Sequence, residues 1–158
     1  MYTAIKSKLD YANALLGGIC ENHLNKLQLL QNRAVRLVCR LKPWDHVTPS
    51  FKDLHWLKVK ERICFKILVH VYKCVKLQNH CPLYLSELVN HRCFNVYTRL
   101  SDRNLLEDKS IITNVGKRCF SYNASSLWNA LDDDFKDCDS ILSFKRSLKT
   151  HYFNLLYC

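Results

Sequence analysis

Apolar residues recur at helical spacing along most of the chain. Over residues 2–16, Ile5, Leu9, Ala12, Leu15 and Leu16 share one stripe, and Gly17-Gly18 supplies a stop. A second helix is predicted from about Asn22 to Leu41, with Leu24, Leu27, Leu30, Ala34, Leu37, Val38 and Leu41 as its apolar face and Pro43 as its terminator. Thr48-Pro49 has the form of an N-cap followed by proline, opening a short helix over 49–55. Val59 to Leu77 is the strongest helical pattern, its buried face marked by Ile63, Ile67, Leu68, Val71, Tyr72 and Val75. A further short helix opens at Pro82 and ends over Ser86 to Val89.

From His91 to Val115 the period weakens. Phe94, Val96 and Tyr97, then Ile111 and Ile112, hint at a small β-hairpin or an irregular excursion. Helical spacing returns with Phe120, Ala124, Leu127, Trp128 and Leu131, and again from Ile141 to about Tyr157 with Ile141, Phe144, Leu148, Tyr152 and Leu155. Between these two, Asp132-Asp133-Asp134 reads as a solvated turn or an N-terminal cap; a hard-metal site needs convergent oxygens rather than adjacent ones. The fold expected is mostly α, a compact bundle of six or seven helices over a single domain, 1–158. A chain of 158 residues buries about 68–70% of its unfolded surface, enough for a core without staples.

Charge divides this bundle. Residues 1–80 carry a balance of +9 and residues 81–158 only +1, within a total of +10. The basic half, 1–78, is therefore expected to meet a polyanion, and 79–158 is the near-neutral remainder. Only three glycines and three prolines argue against low complexity, and no apolar run is long enough for a membrane span. No secretory h-region fits the opening residues. The cysteines number nine, which is odd, and many of them sit among apolar residues at helical spacing, as Cys39, Cys64 and Cys74 do. They are expected to be reduced, buried thiols in cytoplasm or nucleus.

The chemistry of the common enzyme motifs is missing: there is no G-x-S-x-G, P-loop, H-E-x-x-H or G-x-G-x-x-G. Carboxylates are scarce in the basic half, where two-metal chemistry would need them. His46 and His55 are the histidines best placed for a role, although lone histidines more often pack or cap. His80, Cys81, His91 and Cys93 are four metal-ligating types in fourteen residues, but adjacent ligands rarely face one ion, so free thiols and histidines are expected. The better candidates are cations. Arg33, Arg36 and Arg40 lie at i, i+3 and i+7 on one helix face, and Arg62, Lys66 and Lys73 share a face of the strongest helix. Such side chains hold phosphates without reading bases. Trp44, Trp56 and Trp128 have a stacking role open to them, but tryptophans at helix junctions are expected in the core.

The order of segments adds a resemblance. Ser7-Lys8-Leu9-Asp10-Tyr11-Ala12-Asn13 is followed by Gln31-Asn32-Arg33-Ala34-Val35-Arg36-Leu37, Asp45-His46-Val47-Thr48-Pro49 and Leu54-His55-Trp56-Leu57. Arg62-Ile63-Cys64-Phe65-Lys66-Ile67-Leu68, Val71-Tyr72-Lys73, Pro82-Leu83-Tyr84-Leu85, Leu127-Trp128-Asn129 and Phe144-Lys145 through Leu148-Lys149 complete it. This order resembles the region downstream of the palm in non-LTR (LINE-type) retrotransposon reverse transcriptases of the jockey and chicken-repeat kind. It covers nearly the whole chain and is most specific from Gln31 to Lys73.

The resemblance implies thumb-like first helices that contact template or primer, RNA or DNA, and an upstream polymerase domain as partner. It places the polymerase aspartates and the endonuclease upstream of any residue matched here. No catalysis, cofactor, small-molecule substrate or membrane partner is therefore expected of this chain. Lys58 stands where the family often has proline, Asn79-His80-Cys81 where it often has a glycine turn, and Trp128-Asn129-Ala130-Leu131-Asp132 for W-N-S-L-P. These departures fit a drifting copy. The alternatives are a helical protein-interaction or packing domain that docks on an absent polymerase domain, and a degenerate copy without function.

Overall fold

The computed structural model describes residues 7, 10–77, 81–93 and 104–158. Seven helices are found among them: α1 (Glu21–Cys39), α2 (Thr48–Asp53), α3 (Val59–Lys76), α4 (Leu83–Ser86), α5 (Phe120–Asn129), α6 (Asp133–Lys136) and α7 (Ile141–Tyr157). Short 3-10 turns occupy Asn13–Leu16 and Gly116–Arg118. The mostly helical class read from the sequence is the one observed, and the limits of α3 and α7 fall where the apolar period places them.

Helix α3 is the axis of the molecule. It packs on α5, α7, α1, α4 and the turn Asn13–Leu16. Its Ile63, Ile67, Leu68, Val71 and Tyr72 form the main core with Ala124 and Trp128 of α5, Phe144 and Leu148 of α7, and Leu106. The Tyr72 ring stacks on Phe144 at 4.4 Å between centroids. Its hydroxyl donates to the Cys138 carbonyl at 2.7 Å, so the buried phenol has a partner. A second, smaller core holds Val35, Phe51, Trp56 and Tyr157. There the Tyr157 hydroxyl donates to the Trp56 carbonyl at 3.0 Å, across 101 positions of sequence.

Helix α1 presents a different side to the core than its leucines suggest. Gln31, Ala34 and Val35 are buried, whereas Leu29, Leu30 and Leu37 are each more than half exposed. The reason is polar. Gln31 Nε2 donates to the Leu57 carbonyl at 2.9 Å, and Gln28 Oε1 accepts from the Val59 amide at 3.0 Å. The two glutamines thus dock α1 on the α2–α3 linker, and Gln28 satisfies an open N–H at the start of α3.

Both α1 and α2 end in Schellman motifs. At the end of α1, Leu41 N donates to Arg36 O at 2.9 Å and Arg40 has φ 52°. At the end of α2, Trp56 N donates to Phe51 O and His55 N to Lys52 O, both at 3.0 Å, with His55 also at φ 52°. Phe51 and Trp56 make the accompanying edge-to-face contact. Pro43 is therefore not what stops α1: the helix has already ended at Cys39, four residues earlier. Thr48 is the first residue of α2 rather than its cap, which is Val47.

Three further expectations change. Of the two alternatives for 91–115, its described residues show the irregular excursion and not the hairpin: a lone antiparallel bridge joins His91 to Leu106, Ile111 and Ile112 lie in no strand, and Phe94, Val96 and Tyr97 lie outside the described residues. What orders 104–108 is a pair of side chains on α5. Trp128 Nε1 donates to Asn104 O at 2.7 Å. Asn129 both accepts from Leu106 N at 2.9 Å and donates to Leu106 O at 3.0 Å, as a neighbouring strand would. The thiols are not all free: Cys74 and Cys81 form a disulfide, with Cα atoms 5.1 Å apart, tying the end of α3 to the residue before Pro82. The N-terminal helix expected over 2–16 is only partly described; Ser7 and Asp10 are helical, Asn13–Leu16 is a 3-10 turn, and Ile5 and Leu9 lie outside the described residues. The aspartate run is the N-terminal alternative rather than a solvated turn: Asp132 is the N-cap residue of α6, and Asp133 and Asp134 lie in its first turn.

Candidate nucleic-acid interface

The six cations picked out in the sequence fall into three places. Arg33, Arg36 and Arg40 come together with Leu37, Leu41 and Pro43 around an open groove of about 590 Å³ at the C-terminal end of α1. No acidic side chain lines it among the described residues. Arg33 and Arg40 are exposed, and Arg36 is half-buried, its Nε buried without a hydrogen-bond partner. A buried donor of this kind lacks the acceptor that normally offsets its desolvation. Arg40 owes its direction to the positive φ of the α1 terminus, a position where glycine is the usual choice.

Arg62 is placed differently. Its guanidinium makes a two-pronged ion pair with Asp10, and its side chain is 14% exposed. It fastens the N-terminal segment to α3, and its charge is already compensated. Lys66, one turn on, is half-buried and borders a second hollow with His55, Trp56, Phe65 and Lys149. Lys73 lies two turns further along α3, bordering neither hollow.

His70 stands between Lys66 and Lys73 on the same face of α3. Burial, then the charges of Lys73 and Lys66, push its pKa below the usual 6.5. The folded state therefore binds this proton less readily than the unfolded chain. The corresponding stability is complete above pH 6.5 and is lost as pH falls below it, down through the lowered folded-state value. In urea titrations from pH 7.5 to 5.5, the wild-type midpoint is expected to drop and that of H70Q to drop less; equal slopes would remove His70 from the account.

Of the three tryptophans, Trp56 and Trp128 are buried as expected, but Trp44 is 75% exposed with the Lys42 ammonium over its ring at 5.7 Å. It is the one of the three with an open face. Of the metal-ligating types noted in the sequence, Cys81 is held in the disulfide, His91 and Cys93 are exposed, and His80 lies outside the described residues. His46 is exposed, and His55 stacks on Phe153 at 5.3 Å.

Fold and surface together define a helical protein with one arginine-lined groove and one mixed cationic and aromatic hollow. No family model, no curated protein and no solved structure matches this chain. Among the described residues no helix is long and apolar enough to cross a membrane.

Proposed function

We propose that this chain is a part of a non-LTR retrotransposon reverse transcriptase lying downstream of the palm, and that it holds template or primer by its phosphates without catalysis of its own. The observation that carries the binding step is the groove of Arg33, Arg36 and Arg40, free of carboxylates among the described residues. Seven residues of helix span about 10 Å, the axial rise of roughly three phosphates along one strand. The parentage rests on the order of sequence segments from Gln31 to Lys73. The test is fluorescence anisotropy of the chain, its Cys74–Cys81 disulfide intact, with labelled RNA and DNA, single- and double-stranded, across a salt series. Affinity that falls steeply with salt supports the reading; absence of binding at low salt removes it.

A second reading, docking on a polymerase body, is favoured by Leu29, Leu30 and Leu37, exposed beside the arginines of α1. Light scattering tests it, since a bare docking face should self-associate and a clean monomer at high concentration argues against one.

A further inference from the structure

We infer that the hollow between α3, α7 and the α2–α3 linker binds a phosphorylated nucleoside, with its phosphate between Lys66 and Lys149 and its base against the ring of Phe65 and the imidazole of His55. This deepens the nucleic-acid reading above, and rests on it, by assigning a second site on a different face that takes one nucleotide unit rather than a run of backbone.

The hollow measures about 260 Å³, the scale of a single nucleotide. Asp10 is the one carboxylate among its described lining residues, and Arg62 already compensates it. Lys66 from α3 and Lys149 from α7 are thus left facing one space with no ion pair among the described residues. Two lysines lining one hollow suit a phosphate, and aromatic faces suit a base of any identity.

The wall is also held in an unusual way. His55 occupies the left-handed position that ends α2, where glycine would sit without strain, and its ring is fixed by stacking on Phe153 and by a 3.2 Å contact of Nδ1 with Asp53 O.

The same chemistry arises at the 5′-phosphorylated end of a strand and in a free mononucleotide, and the assay separates them. Anisotropy is measured for one single-stranded DNA carrying either a 5′-phosphate or a 5′-hydroxyl, and adenosine monophosphate is titrated by NMR and as competitor. The phosphorylated strand is expected to bind about tenfold more tightly. K149Q should erase that preference. H55G, which suits the positive φ, should weaken mononucleotide binding with the circular dichroism spectrum unchanged. A preference without mononucleotide binding assigns the site to strand ends; mononucleotide binding without a preference assigns it to free nucleotide. Equal affinity for both strands together with no mononucleotide binding overturns the site. The salt dependence of the hydroxyl strand reports the arginine groove alone, so either reading can fail while the other stands.

Discussion

Replacing Trp128 by alanine is expected to lower the unfolding free energy by about 3–5 kcal/mol, the cost of deleting a large buried aromatic side chain. The indole is fully buried at the meeting of α3, α5 and α7, 6.3 Å from Phe144 between ring centroids. Its loss leaves a cavity and strands the Asn104 carbonyl that Nε1 now satisfies at 2.7 Å. With domains of this size stable by about 5–15 kcal/mol, the variant should lose much of its margin. W128F keeps most of the volume and loses the donor with a small part of the ring, so its cost should be about 1–3 kcal/mol. W44A, at an exposed site, should stay within about 0.5 kcal/mol of wild type. Urea denaturation followed by circular dichroism measures all three. A W128A cost no greater than that of W44A would show that this tryptophan does not organise the core.

The second large effect concerns binding. Changing Arg33, Arg36 and Arg40 together to glutamine should reduce the salt slope of nucleic-acid affinity by about 2–3 and lower affinity at ~0.1 M salt by roughly 10²–10³-fold. Each phosphate contact releases about one counterion, so the slope counts the arginines independently of the affinity itself. R62Q offers the contrast. Arg62 is paired with Asp10, so its loss should appear in stability and leave the slope nearly unchanged. A triple variant with the wild-type slope would move the contact surface away from α1.

The helices themselves were legible because their limits have local causes. Ser140 accepts from Ser143 N at 3.1 Å to open α7, and the apolar period of α3 coincides with the face its neighbours cover. Which side of α1 is buried was not legible. Leucines at 30 and 37 satisfy the period, but Gln28 and Gln31 decide the docking by bonds to the first residue of α3 and to the α2–α3 linker, 31 and 26 positions away respectively. The left-handed termini at Arg40 and His55 were hidden for a related reason: no glycine stands there to announce them.

Half of the candidate surface could be read from spacing alone, since Arg33, Arg36 and Arg40 are neighbours on one helix. The rest depends on distant partners. Asp10 removes Arg62 from the free cations, and Lys149 joins Lys66 from the far end of the chain. The disulfide was likewise invisible to a count of cysteines, because it needs only the return of the chain from the end of α3 to Cys81.

The bond from the Tyr157 hydroxyl to the Trp56 carbonyl sets a schedule for synthesis. Trp56 leaves the ribosome 101 residues before the aromatic ring that covers it, and Phe51 and Val35 leave earlier still. At 5–20 residues per second this is a wait of roughly 5–20 s. During that interval the smaller core lacks its last wall, and the nascent chain presents an apolar surface that a chaperone can hold.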